Sequence, residues 1–143
     1  MNQAKAASLQ DAQFVGFFMG EGCLDLMKSG RGSSRTPRMR IGLRTDDLAM
    51  LEWCRLRFGG SISYRAETRS ASWSLTGVAN MTKALDVLGT CTLPAKKAKE
   101  VDLMREAMSL IPKRGEHIGP DRAERLNWIS TEIARMHSFN GEG

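Results

Sequence analysis

A chain of 143 residues, 41% hydrophobic and 26% charged, has the length of one domain and too much apolar content to stay disordered. No apolar run reaches the roughly 18 residues of a membrane span, and the start (Met1–Asp11) is polar. A soluble, intracellular protein without a membrane partner is therefore expected, in a bacterial or phage-infected cytoplasm or an organelle, and secretion is not. The net charge is +5, and its placement is uneven: the stretch from Lys28 to Arg69 holds ten of the 21 basic residues and four of the 16 acids. That asymmetry points to a polyanionic partner, nucleic acid before an acidic membrane surface.

In chain order, residues 8–21 read as a helix with Ser8 or Asp11 at its start and Phe14, Val15, Phe17 and Phe18 as its apolar residues. Gly16 and Gly20 lie four apart, on one side, and each costs a helix about 1 kcal/mol against alanine. Close approach of another backbone is the usual reason for such a pair. After Gly22 the period becomes two, with Leu24 and Leu26 on one side and Cys23, Asp25 and Met27 on the other. A loop is expected over Lys28–Thr36. Residues 38–44 form the clearest strand, with Met39, Ile41 and Leu43 inward and Arg38, Arg40 and Arg44 outward.

Residues 48–58 read as a helix, capped near Thr45 or Asp46 and stopped by Gly59-Gly60. Two strands follow, Ser61–Arg65 and Ser70–Thr76, with Ile62, Tyr64, Trp73 and Leu75 inward and the serines and Arg65 outward. Helices are expected over 79–88, 94–111 and 121–137, and a loose tail over 138–143. The order predicts an α+β fold: a four-stranded antiparallel sheet with helices on one face. The core spans residues 10–111, with helical support over 112–137. Trp53, Trp73 and Trp128 fall at apolar positions and are expected in the core.

The outward face of this sheet is all arginine on one strand and largely serine on another. Guanidinium groups about 7 Å apart along a strand suit phosphates and guanine edges, and short hydroxyls let a duplex come close. No aromatic stacking platform accompanies them, which argues against a single-stranded RNA module. Glu21, in Gly20-Glu21-Gly22, ends the first helix where the macrodipole disfavours an anion, so a bound cation would relieve it. His117 and His137 lack ligands at zinc spacing, and no Gly-x-Ser-x-Gly is present.

Residues 14–22, Phe-Val-Gly-Phe-Phe-Met-Gly-Glu-Gly, resemble the LAGLIDADG motif of homing endonucleases. The following Arg-alternating hairpin, the Phe58-Gly59-Gly60-Ser61-Ile62 turn and the helix order extend the likeness over roughly residues 12–110. Met19 departs from the Asp usual at the sixth motif position. The resemblance implies an αββαββα core with a saddle-shaped sheet lying on double-stranded DNA. It implies a homodimer, because the chain carries one motif, packed through Phe14, Gly16, Phe17 and Gly20. It also implies Mg²⁺ (or Mn²⁺) at Glu21 and Gly20, a basic residue at Lys96 (with Lys97 or Lys99 as substitutes), and water positioning by Thr45 or Asp46. No small-molecule cofactor is implied.

Contacts to DNA are then expected from Lys28, Arg31, Arg35, Arg38, Arg40, Arg44, Arg65, Arg69, Ser70, Ser72 and Ser74. The activity implied is site-specific hydrolysis of a long, near-palindromic duplex with 3′ overhangs, in the service of intron or intein mobility. The alternatives are a non-cleaving DNA-binding regulator or intron RNA maturase on the same fold, and a plain interaction domain.

Overall fold

A computed structural model describes residues 9–28, 35–113 and 115–141. Ser8 and Arg31 lie outside them. Helix α1 (Leu9–Glu21) leads into β1 (Gly22–Lys28) and β2 (Arg35–Arg44). A 3₁₀ turn (Thr45–Asp47) precedes α2 (Leu48–Phe58), followed by β3 (Ser61–Arg65), β4 (Ser70–Thr76), α3 (Val78–Leu88), α4 (Ala95–Leu110) and α5 (Pro120–Gly141). The four strands form one antiparallel sheet in the order β1-β2-β4-β3. The expected α+β class and every expected element are present. Two boundaries moved by more than one residue, and one helix start lacks its expected cap. Arg35 and Thr36 belong to β2 rather than to a loop, because they pair with Lys28 and Met27. The second helix is entered through the 3₁₀ turn, with no side-chain cap at its start. The last helix runs past His137 to a glycine, a usual helix stop, where a loose tail was expected.

The helix side of the sheet is dry. Leu24, Met39, Ile41, Trp73 and Leu75 are fully buried there, packed beneath Phe14, Phe18, Leu51 and Leu85. Phe14 and Phe58 meet at 4.8 Å between ring centres, and Trp73 stands edge-on to Phe14 at 6.2 Å. The Trp73 indole N–H donates to Gly59 O at 2.8 Å, so the largest core side chain buries no unpaired polar atom. Two glycines are required by close approach. A Cβ on Gly22 would lie 2.2 Å from the Phe18 ring, and one on Gly60 (φ +90°) would lie 2.3 Å from Ser74 O.

Two aromatic expectations fail. Tyr64 is 59% exposed, since it sits near the end of the edge strand β3, beyond the reach of the helices. Trp128 is 46% exposed, covered by Arg125 at 4.4 Å from its ring rather than by the core. Leu126, Ile129, Ile133 and Met136 are the residues through which α5 packs.

The outer edge of β1 is closed by side chains instead of another strand. Lys97 Nζ donates to Gly22 O at 2.8 Å, Leu24 N donates to Glu100 Oε1 at 3.3 Å, and Arg35 Nη1 donates to Leu26 O at 3.4 Å. An edge with its polar backbone satisfied this way does not recruit foreign strands.

Candidate nucleic-acid interface

The other side of the sheet carries no helix. Register fixes which residues share it: Asp25, Arg38 and Thr76 in one row; Cys23, Arg40, Ser74 and Ser61 in the next; then Gly42, Ser72 and Ser63; then Arg44, Ser70 and Arg65. Together they form an open groove of about 700 Å³ lined by Arg38, Arg40, Arg44, Arg65, four serines and, at one end, Glu21 and Asp47. Seven of the eleven expected DNA contacts therefore stand together: these four arginines with Ser70, Ser72 and Ser74.

Arg31 lies outside the described residues, and Lys28, Arg35 and Arg69 do not join them. Arg35 has the parity of the buried positions of β2, and its guanidinium is held on the β1 edge by Leu26 O and by Asn127 Oδ1 at 2.8 Å. Lys28 shares that parity at the end of β1. Arg69 occupies the β3–β4 turn with φ +51°, and its carbonyl accepts from Thr45 N at 3.0 Å. The basic stretch is also diluted on α2, where Arg55 pairs with Glu52 and Arg57 with Asp11, away from the groove.

Glu21 is exposed at the C-terminal end of α1 and borders two grooves. The second groove, about 480 Å³, runs along Gln13, Gly16, Phe17 and Gly20 to Leu43 and Asp47. A Cβ added at Gly16 or Gly20 would meet nothing within 4 Å, so this chain's own packing does not demand their small size. Phe14 is removed from the expected interface. It is wholly buried, because the helix turns it towards Phe58 and Trp73. Leu43, expected to be buried, is only half-buried for the complementary reason: it faces this second groove.

Of the residues opening the second helix, Asp47 reaches both grooves beside Glu21. Thr45 and Asp46 do not line either groove, because the 3₁₀ turn carries them outward, Asp46 towards Arg44 at 3.9 Å. Among the three lysines, Lys97 is the one beside the motif. Its ammonium bonds Gly22 O, lies 5.1 Å from the Phe18 ring and 3.7 Å from Glu100. Lys96 and Lys99 border a separate hollow with Arg135 and Met136, one helical step away. Glu100, 1% exposed, is joined by His137, whose Nε2 stands 2.5 Å from Oε1. The other ring nitrogen of His137, Nδ1, lies 3.6 Å from Cys23 Sγ. Burial pushes the Cys23 thiol up, against the pull of Arg40.

Sequence reasoning missed Asp25, whose carboxylate grips Arg38, and Asp47. The alternation of β1 placed Asp25 on the open side, but a lone acid among arginines carries no signal of its partner. The Asp25 carboxylate also lifts Arg38 above the ordinary guanidinium range. Among the described residues no helix is long and apolar enough to cross a membrane, and no group of three His, Cys, Asp or Glu side chains could hold a metal within one chain.

No family model and no curated protein matches the sequence. Solved structures do. The homing endonuclease I-TnaI superposes with a TM-score of 0.74 at 21% identity, over 94% of this chain and 98% of that one. I-CvuI in complex with its target in the presence of 2 mM Ca gives 0.71 at 16% identity, over 90% of this chain and 82% of that one. The I-SmaMI LAGLIDADG homing endonuclease bound to cleaved DNA gives 0.73 at 20% identity, over 90% of this chain but 45% of that one. The helix-backed antiparallel sheet is thus the architecture of known proteins: this chain has the fold of the LAGLIDADG homing endonucleases.

Proposed function

We propose that the chain is a DNA endonuclease acting as a homodimer, hydrolysing both strands of a long, near-palindromic duplex with Mg²⁺ or Mn²⁺ and leaving 3′ overhangs. The observation that carries this reading is the position of Glu21. Its carboxylate stands where the open basic groove meets the bare Gly16–Gly20 face of α1. A second copy seated on that face would bring two such carboxylates together beneath the duplex. The fit to one half of I-SmaMI and to nearly all of I-TnaI supports a unit that works in pairs.

Each residue then has a task. Arg40, Arg44 and Arg65 draw the phosphate backbone onto the sheet, and the serines allow close approach. Gly16, Phe17 and Gly20 form the contact between copies. Glu21 and the Gly20 carbonyl are hard oxygen donors of the kind Mg²⁺ prefers and would hold it together with donors from the second copy and the DNA. A bound divalent cation supplies charge stabilisation at the attacking and leaving oxygens. Asp47 accepts a hydrogen bond from the attacking water. Lys97, held against Gly22 beside Glu100, is the basic residue of the site nearest the motif.

The test is plasmid cleavage with Mg²⁺ by wild type and Glu21→Gln. Loss of cutting with binding retained supports the mechanism. Equal cutting by both overturns it, and tight Mg²⁺-independent binding without cutting by wild type identifies a non-cleaving regulator.

A further inference from the structure

Among the strand residues of the open face one is acidic. Asp25 projects from β1 on the open side, directly across from Arg38. The two are joined fork to fork: Arg38 Nε donates to Asp25 Oδ1 at 2.9 Å and Nη2 donates to Oδ2 at 2.5 Å. Arg40 is treated differently. Its nearest guanidinium nitrogen is 3.9 Å from the same carboxylate, and its side chain is 44% exposed against 24% for Arg38. Arg44 is looser still, 3.9 Å from Asp46 with both side chains largely exposed. Among the described residues Arg65 has no ion-pair partner.

The pairing leaves a particular set of donors. A guanidinium carries five N–H bonds in one plane. Asp25 takes the Nε–H and one Nη2–H, and among the described residues Nη1 has no acceptor. Three remain, two on Nη1 and one on Nη2, and one from each stands side by side at the end of the fork. That spacing matches O6 and N7 of guanine in the major groove. Asp25 does two further things. It fixes the rotamer, so the fork is aimed before DNA arrives. It also neutralises the local charge, so Arg38 is a poor phosphate contact while remaining a good bidentate donor.

We infer that the Asp25–Arg38 pair is a guanine-reading element of the interface, with Asp25 its specificity-determining residue, while Arg40, Arg44 and Arg65 provide sequence-independent affinity. This rests on the reading of the open sheet face as a DNA surface. Asp25 lowers total attraction to DNA and raises discrimination, a combination that a merely structural cross-strand ion pair would not produce.

The experiment selects full-length wild type, Asp25→Asn, Arg38→Ala and Arg40→Ala against a pool of randomised duplexes without Mg²⁺, and sequences what is bound. Thermal melts confirm that each variant is folded. Wild type is expected to enrich guanine at a symmetric pair of positions. Asp25→Asn should lose that preference by about tenfold while binding random duplex more tightly, since an acid has left a phosphate-facing surface. Arg38→Ala should lose the same preference, and Arg40→Ala should weaken binding on all sequences alike. An unchanged guanine preference in Asp25→Asn, or an equal loss at every position, overturns the inference. Absence of any salt-sensitive duplex binding by wild type overturns the DNA reading itself, and this result is distinguishable from the others.

Discussion

The two faces of the sheet are made from alternate residues of the same strands, yet they answer to different demands. On the helix side Leu24, Met39, Ile41, Trp73 and Leu75 are excluded from water, and folding dictates their character. On the open side Arg40, Ser63 and Arg65 remain exposed, and no described helix covers them. Helix α1 repeats the contrast. Phe14 and Phe18 turn inward, while Gly16 and Gly20 turn to the second groove at a helical cost that no contact among the described residues offsets. Residues that folding does not require are the ones left to meet a partner, and under the proposed function those partners are a polyanion and a second copy.

Substitutions can separate the two demands. The largest effect belongs to the buried side: Trp73→Ala should cost about 3–5 kcal/mol in urea unfolding, through lost contacts and a cavity. Ser72→Ala, one residue away on the open side, should stay within about 0.5 kcal/mol of wild type. Near parity between them would break the comparison. Next, Glu21→Gln should lower cleavage by roughly a hundredfold or more, the rate equivalent of several kcal/mol, with the unfolding midpoint unmoved.

Gly16→Ala should act in opposite directions. The monomer should gain up to about 1 kcal/mol from helix propensity, because the new methyl meets nothing. The dimer should weaken in sedimentation equilibrium. A dimer as strong as wild type would mean that the partner sits elsewhere.

The smallest effect concerns Cys54. Burial pushes its thiol from the usual 9.0 up to about 12. Above pH 9 the unfolded thiol loses its proton and the folded one keeps it, so stability present below pH 9 is lost as pH rises towards 12. Wild type should therefore lose on the order of 1 kcal/mol between pH 9 and 11 relative to Cys54→Ala, measured by urea unfolding.

Much of this was legible in the residues. Period-two patterning located all four strands, because burial on one face forces alternation, and Gly59-Gly60 marked the entry to β3. The motif placed Glu21 at a helix end beside the groove. What escaped was set by geometry that patterning does not encode. Phe14 and Phe17 read alike as apolar residues, but only the turn of the helix sends one inward and the other towards the groove. Lys96 and Lys97 are adjacent in sequence, and about 100° of helix decides which meets Gly22. Arg35 looked like loop charge because pairing with Lys28 could not be foreseen. His137 and Glu100 meet across 37 residues, on two helices.

The measurement that bears most directly on the central claim is the salt dependence of duplex binding by wild type and an Arg40→Gln/Arg44→Gln/Arg65→Gln variant. If the open face holds the phosphate backbone, the slope of log affinity against log salt should become shallower by about 0.9 for each phosphate contact removed. An unchanged slope in a folded variant would place DNA somewhere other than on this sheet.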